Sequence, residues 1–299
     1  MPSDNRGAVR VPIRRDAFIR DRLPRLEAAG VPEALLNLQY LLARRLGIPR
    51  LELLSRHGEG LSEADGAATD ADLARLAAGE PLQYILGDTP FHGLILKTDR
   101  RALIPRPETE WLVDQVLACP AIWSGPEPRL IDVGTGTGCI ALALAAARPE
   151  ARLLALDVDV DALALARENR DQLGLSGRVD LRTGDLLAGL PAGGVDAVVS
   201  NPPYIATAVC GTLDRHVRDH EPRLALDGGA DGLAVIRRLA PQARACLKPD
   251  RPLWLEIGFD QGVAVAAILR DAGYERVEVL RDAAGHDRAV CGWRGAAPG

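Results

Sequence analysis

The sequence predicts an α/β protein in which a seven-stranded, mostly parallel sheet is covered by helices on both faces and follows a small all-α domain. Three observations support this prediction. Strand and helix patterns alternate from residue 107 onward, as in βαβ crossovers. Leucines recur at helical spacing between residues 35 and 46. The last two strand patterns are joined by only a short polar loop, so they form an antiparallel pair.

Composition excludes several classes of protein. With 299 residues the chain can form one large domain or two smaller ones. A net charge of -5 argues against a general nucleic-acid binder. Five scattered cysteines without a Cys-x-x-Cys pair fit a reducing cytoplasm, and no apolar run is long enough to span a membrane. His216 and His220 lack an obvious third ligand set, so no metal site is expected.

The amino-terminal part reads as a helical domain over residues 1–80. Its leucine stripe ends at Gly47 and Pro49, and a further helix that opens at Asp70 is closed by Gly79 and Pro81. Apolar residues then alternate with others on both sides of Gly87, which predicts a β-hairpin linker over residues 81–105; they are Leu82, Tyr84, Leu86, Phe91, Leu94 and Leu96.

Residues 106–299 form the predicted catalytic domain. The expected strands are 129–133, 152–157, 178–182, 195–200, 251–257, 275–280 and 287–293. The expected helices are 107–118, 138–147, 160–173, 232–246 and 261–271. In an open sheet of this kind, ligands bind outside the carboxyl ends of the strands.

The turn after the first of these strands has the features of a cofactor site. It reads Gly134-Thr135-Gly136-Thr137-Gly138 and leads into a helix, so the backbone can approach a ligand closely at a helix N-terminus. The next strand ends at Asp157, where a carboxylate can bind the two hydroxyls of a ribose. Enzymes that use nicotinamide cofactors and enzymes that use S-adenosyl-L-methionine (SAM) share this layout.

Two details favour SAM over a dinucleotide. The spacing is Gly-x-Gly-x-Gly rather than Gly-x-Gly-x-x-Gly. The third strand ends at Gly184-Asp185-Leu186, where Asp185 can accept from an adenine amino group and Leu186 can pack on the ring. An ordinary turn explains Asp185 equally well.

The segment Asn201-Pro202-Pro203-Tyr204 is the most informative feature of the chain. It ends the apolar strand 195–200, since proline cannot donate to a strand ladder. The Asn201 side-chain oxygen and the Pro202 carbonyl together can accept both hydrogens of a planar NH2 group, against which the Tyr204 ring can lie. The alternative is a plain Pro-Pro turn capped by a tyrosine.

With the glycine turn, Asp157 and this segment in order, the chain resembles class I SAM-dependent methyltransferases that modify planar nitrogens. It is similar in particular to the release-factor glutamine methyltransferase family, also called HemK or PrmC. Three more stretches carry that resemblance: Glu80-Pro81-Leu82-Gln83-Tyr84-Ile85-Leu86-Gly87, Ile104-Pro105-Arg106-Pro107-Glu108-Thr109-Glu110, and Glu221-Pro222-Arg223-Leu224-Ala225-Leu226-Asp227-Gly228-Gly229.

The resemblance implies a Rossmann-like catalytic domain, a hairpin linker and a helical amino-terminal domain that docks the substrate protein. The implied substrate is the glutamine of the Gly-Gly-Gln loop in class I peptide-chain release factors, with SAM as donor. Thr109 is implied near the methionine end of the donor, and Phe91 in the glutamine pocket. A cytoplasmic monomer without a nucleic-acid or membrane partner is expected.

Other readings stay open at this point. The acceptor could be another protein glutamine, as in a ribosomal protein, or the adenine amino group of a nucleic acid. The latter would require a basic groove, which this acidic chain does not show. A nicotinamide-dependent oxidoreductase would leave residues 201–204 unexplained. The intact Asn201 and Tyr204 argue against a SAM-binding module without catalytic activity.

Overall fold

The structure, a computed structural model, describes residues 13–296. Residues 1–12 and 297–299, which fall in the predicted terminal domains, lie outside this range. The chain divides into two compact units between Leu86 and Gly87. No helix within the described range is both long and apolar enough to cross a bilayer.

The first unit is built from helices around its own core. Its helices are α1 Arg15–Ala28, α2 Ala34–Leu46, α3 Arg50–Ser55, α4 Glu63–Ala77 and α5 Leu82–Leu86. The prediction of an all-α domain was wrong in one detail, because β1 Ile13–Arg14 pairs antiparallel with β2 Gly60–Leu61. Two-residue strands are too short to show alternation in sequence, and buried Leu61 joins the same apolar core as the helices.

The start of the predicted hairpin linker was also wrong. Residues 82–86 form helix α5 instead of a strand. Leu82, Ile85 and Leu86 pack against the core of the first unit, at the i, i+3 and i+4 spacing of one helix face. Over five residues, this spacing and strand alternation fit the same leucines, so the sequence pattern could not distinguish them.

The hairpin itself is confirmed within shorter limits. β3 Asp88–Phe91 pairs antiparallel with β4 Leu94–Lys97. His92 and Gly93 form its two-residue loop with φ of 47° and 78°, the left-handed conformations of a tight hairpin turn. The hairpin belongs to the second unit, where the Lys97 N–H donates to Asn169 Oδ1 at 2.7 Å.

All seven predicted sheet strands are confirmed within two residues. They are β5 Arg129–Val133, β6 Arg152–Asp157, β7 Val179–Thr183, β8 Ala197–Ser200, β9 Pro252–Glu256, β10 Tyr274–Arg281 and β11 Asp287–Arg294. Their order is β10-β11-β9-β8-β5-β6-β7. Five neighbouring strands of this sheet are parallel: β9, β8, β5, β6 and β7. β11 runs antiparallel to both β9 and β10, and the short loop between β10 and β11 predicted their antiparallel pairing.

The predicted helices of this unit are confirmed as well: α6 Pro107–Leu117, α7 Cys139–Ala147, α8 Val160–Gln172, α11 Ala234–Cys246 and α12 Gly262–Asp271. Sequence patterns did not predict the short helices α9 Thr207–Cys210 and α10 Arg215–Arg218, or the 3-10 turn Arg223–Ala225. The chain moves outward from β5 through β6 to β7, and then crosses to β8 on the other side of β5. This reversal creates a crevice at the carboxyl ends of β5 and β8.

Candidate active site

The two most informative sequence segments meet at this crevice. Val133, the last residue of β5, is the register partner of Ser200, the last residue of β8. The Ser200 hydroxyl also donates to the Val133 carbonyl at 2.7 Å. The glycine turn and Asn201 therefore begin side by side at one edge of the sheet.

Backbone conformation explains the glycines in the turn. Gly134, Gly136 and Gly138 have φ of 71°, 55° and 86°, a region that glycine enters without steric cost. The amides of Gly134 and Thr135 both donate to the Leu156 carbonyl, which ties the turn to β6. A Cβ on Gly138 would lie 3.0 Å from Leu142 Cδ1, so close packing against α7 also favours glycine there.

A cavity of about 200 Å³ opens above this edge. It is lined by most of the residues predicted from sequence: Thr109, Gly134, Thr135, Gly136, Thr137, Asp157, Asp185, Leu186, Asn201, Pro202 and Pro203. Gly138 lies at the N-cap of α7 behind the turn. The structure thus brings the glycine turn, the two strand-end acids and the Asn-Pro-Pro segment to one site.

Asp157 occupies the end of β6 as predicted. Its Oδ2 accepts from the Gly136 amide at 2.9 Å, and its Oδ1 accepts from the Asp159 amide at 3.0 Å. Burial raises the pKa of this carboxyl above its usual range, while the two backbone donors oppose that shift. The backbone holds the carboxylate in a fixed position on the cavity wall.

Asp185 and Leu186 lie on the cavity wall beyond β7. Asp185 is exposed, and its Oδ2 accepts from the Arg238 guanidinium at 2.6 Å. Leu186 has φ of 55°, a left-handed conformation that is uncommon for leucine.

The polar and apolar groups that line the cavity fit SAM. Asp157 and Asp185 offer carboxylate acceptors suited to ribose hydroxyls and an adenine amino group. Val158, Ala162 and Leu186 supply apolar surface for a flat ring. The left-handed glycine turn allows the backbone to approach the ligand without a Cβ between them.

A hydrogen-bonded chain extends from Asn201 into the protein. Asn201 Nδ2 donates to Thr109 Oγ1 at 3.1 Å, and that hydroxyl donates to Glu256 Oε2 at 2.7 Å. The Tyr204 hydroxyl lies 3.5 Å from Glu256 Oε1. One buried carboxylate therefore reaches both ends of the segment 201–204.

Glu256 was not among the site residues predicted from sequence. It is 1% exposed, and burial raises the pKa of its carboxyl from 4.5 to about 7 although Thr109 donates to it. An acid at the end of β9, whose other four residues are all apolar, was the available signal. Buried glutamates are rare unless they are paired or functional.

An ion pair beside the cavity was also not predicted from sequence. The Glu221 carboxylate is fully buried and accepts from the Arg106 guanidinium and, at 3.2 Å, from the Ile104 amide. Ile104 and Arg106 line the cavity, as does Pro222. This pair joins the segment before α6 to the segment before the 3-10 turn.

Like Gly138, the predicted site residues Phe91 and Tyr204 do not line the cavity. Phe91 is 1% exposed and belongs to the main apolar core with Leu96 and Leu112, as expected for an aromatic residue in an alternating strand. Tyr204 turns its hydroxyl toward Glu256, and burial raises its pKa well above the usual range.

Comparison with known proteins gives two family matches. Residues 23–87 match the PrmC N-terminal domain, and residues 121–228 match the methyltransferase small domain.

Curated relatives align with nearly the whole chain. A release factor glutamine methyltransferase of Caulobacter vibrioides is 42% identical over 271 residues, which is 90% of this chain and 92% of the relative. One of Deinococcus radiodurans is 45% identical over 267 residues, covering 89% and 93% of the two chains. A crystal structure of a methyltransferase from Pyrococcus furiosus aligns with a TM-score of 0.50 and 18% identity over 68% of this chain and 90% of the other, a likeness of fold alone.

Proposed function

The chain belongs to the release factor glutamine methyltransferase family, and we propose that it transfers a methyl group from SAM to the glutamine side chain of the Gly-Gly-Gln motif in class I peptide-chain release factors. The cavity at the carboxyl ends of β5, β6 and β8 is the proposed SAM site. Its proposed ligands are the glycine turn 134–138, Asp157, Asp185, Leu186, Thr109 and Asn201.

The reaction requires positioning more than acid–base chemistry. An amide nitrogen is a weak nucleophile because its lone pair is delocalised into the carbonyl. Bound SAM supplies a strongly electrophilic methyl group on a sulfonium centre. The protein therefore has to hold the amide with its nitrogen lone pair directed at that methyl group.

The orientation of Asn201 is the observation that carries the proposal. Its NH2 end donates to Thr109, so the opposite end of the carboxamide, Oδ1, serves as an acceptor. We assign Oδ1 and the Pro202 carbonyl to the two N–H groups of the substrate glutamine. These acceptors also stabilise the positive charge that develops on the nitrogen during transfer.

Pro203 and Tyr204 complete the proposed substrate site. Both residues are partly buried, and the Tyr204 ring would exclude water from the amide. The methylated nitrogen is acidic and releases its extra proton after transfer, so Asn201 acts by hydrogen bonding without serving as a general base.

The first unit is proposed to dock the release factor. It contains the segment that matches the PrmC N-terminal domain, and it has a core of its own. The enzyme is proposed to act as a monomer in the cytoplasm, where both SAM and the release factor are available.

Peptide mass spectrometry of a release factor incubated with the enzyme and SAM tests the function. We expect a gain of one methyl group on the Gly-Gly-Gln glutamine. In Asn201→Ala the turnover number should fall roughly a hundredfold or more, since a lost positioning hydrogen bond is costly in the transition state. SAM affinity, measured by titration calorimetry, should change much less.

Gln172→Ala provides the matched control, because Gln172 is an exposed amide side chain at the end of α8 in the second unit and does not line the cavity. It should methylate at the wild-type rate. Turnover close to wild type in Asn201→Ala would contradict the assigned role. Confirmed SAM binding without methylation of the release factor would move the substrate to another protein glutamine or to adenine.

A further inference from the structure

We propose that Glu256 is a positioning residue that sets the orientation of the Asn201 carboxamide through the hydroxyl of Thr109. This inference rests on the proposed function, since it concerns how Asn201 is prepared to receive the substrate amide. Glu256 acts through two intervening groups and is not proposed to contact the substrate.

β8, β9 and α6 bring Asn201, Glu256 and Thr109 together. Ser200 of β8 pairs with Leu255 of β9, so Asn201 and Glu256 emerge next to each other at the sheet edge. Thr109 lies in the first turn of α6 and is 2% exposed. The chain of two hydrogen bonds, 3.1 Å and 2.7 Å long, is therefore largely shielded from water.

The direction of these hydrogen bonds depends on the charge of Glu256. An ionised carboxylate only accepts, so Thr109 must donate to it and must then accept from its other neighbour. Asn201 can satisfy Thr109 only with its NH2 group. The ionised form of Glu256 thus keeps Oδ1 of Asn201 available for the substrate.

Protonation of Glu256 removes this constraint. A carboxylic acid can donate to Thr109, whose own hydrogen then can point to Asn201 and favour the flipped amide. Burial brings the pKa of Glu256 to about 7, so the two states exchange near neutral pH. The surrounding groups that influence it are Glu108, Arg288, Tyr204 and Cys139.

The second carboxylate oxygen extends the same control to Tyr204. Its hydroxyl lies 3.5 Å from Oε1, on the far side of the carboxyl group from Thr109. Glu256 can therefore align Asn201 and Tyr204 together, which explains why a buried acid is placed beneath the Asn-Pro-Pro-Tyr segment.

A pair of Thr109 variants in the full-length enzyme tests the link through the Thr109 hydroxyl. Thr109→Val keeps the shape and removes the hydroxyl, whereas Thr109→Ser keeps the hydroxyl. We expect the turnover number to fall roughly a hundredfold in Thr109→Val and to stay within about threefold of wild type in Thr109→Ser. Equal turnover in the two variants, with equal unfolding temperatures and SAM saturating, would overturn the proposal.

A pH profile tests Glu256 itself. For wild type, the turnover number with both substrates saturating should fall about tenfold per pH unit below about 7, because only the ionised form positions Asn201. Glu256→Gln cannot ionise and should give a flat profile between pH 6 and 8. Asp132, whose pKa burial also raises to about 7, is present in both proteins and serves as the internal control.

The outcomes distinguish the two proposals. If wild type does not methylate the release factor at all, the proposed function fails before Glu256 is examined. If wild type methylates it but its profile is flat, or if Glu256→Gln shows the same acidic fall, the positioning role of Glu256 is wrong and the proposed function stands.

Discussion

At the scale of single residues, the Asn201 carboxamide is oriented by a hydrogen-bonded chain through Thr109 to the buried Glu256. Asn201 and Asp157 were identified from sequence because Asn201 follows the apolar strand β8 and Asp157 is the last residue of β6. The direction of the Asn201 amide depends on Thr109, which is 92 residues from Asn201 in sequence, and on Glu256, which is 147 residues from Thr109. Local patterns carry no information about such distant partners.

The buried charge of Glu256 also has a consequence for stability. In the unfolded chain this carboxyl ionises near 4.5, but in the folded protein burial holds its pKa at about 7. Between these values the unfolded state loses its proton first, so folding becomes less favourable as the pH rises. A shift from 4.5 to about 7 corresponds to roughly 3 kcal/mol.

Glu256→Gln should remove this penalty. We expect the free energy of unfolding of the variant, minus that of wild type, to increase by up to about 3 kcal/mol between pH 4.5 and pH 7.5. Urea unfolding at a series of pH values measures this difference. Glu150→Gln, an exposed glutamate at the end of the loop after α7, should show no such trend. A difference independent of pH for Glu256→Gln would mean that Glu256 ionises normally in the folded state.

At the scale of secondary-structure elements, prediction succeeded where burial is uniform. The four residues of β8 are all buried and end at two prolines, so both its presence and its end were visible in sequence. Prediction failed at α5, where five residues fit two periodicities. It also gave no elements between residues 201 and 232, because the helices there are only three or four residues long and show no periodic pattern. The stretch 226–228 is instead held by contacts with Ile205.

Contacts of this kind hold the segment 201–205 in place. The Ile205 amide donates to the Leu226 carbonyl and the Gly228 amide donates to the Ile205 carbonyl, while Gln261 Nε2 donates to the Tyr204 carbonyl at 2.9 Å. The segment after β8 is thus held from two sides. Small shifts of the stretch 226–228 or of Gln261 should displace the Pro202 carbonyl and Asn201.

Gly228→Ala tests whether the stretch 226–228 holds the segment 201–205 in place. A Cβ at this position would lie 2.6 Å from both the Pro203 and the Gly232 carbonyl oxygens, so the backbone has to move. We expect a loss of about 1–3 kcal/mol in the free energy of unfolding, as for other overpacked sites. The turnover number should fall together with it, while SAM affinity is largely kept.

Gly211→Ala is the matched control, since Gly211 has φ of −74° and no atom lies within 4 Å of an added Cβ. It should unfold and turn over like wild type. If both glycine variants behave alike, the segment 226–232 does not position residues 201–204.

At the scale of the whole molecule, the sequence predicted a helical domain, a hairpin linker and a catalytic domain, whereas the structure divides the chain into two units. The first unit has its own apolar core, centred on Phe18, Leu38 and Leu42. The second unit contains the sheet and every residue that lines the cavity. What composition and periodicity could not predict is where the division falls, because the leucines of α5 read as a strand of the following hairpin.

This division allows docking and chemistry to be tested separately. A chain of residues 87–299 keeps the glycine turn, Asn201, Thr109 and Glu256, so it should bind SAM with nearly unchanged affinity in titration calorimetry. If the first unit docks the release factor, its removal should raise KM for the intact release factor roughly tenfold or more, equivalent to about 1.4 kcal/mol of lost binding.

A short Gly-Gly-Gln peptide provides the control substrate, because it is too small to use a remote docking surface. Its kcat/KM should be the same for the shortened and the full-length enzyme if the first unit acts only by docking. An equal loss with peptide and protein would instead show that the first unit supports the active site itself. An unchanged KM for the intact release factor would place its docking surface on the second unit, around the cavity that Asn201 lines.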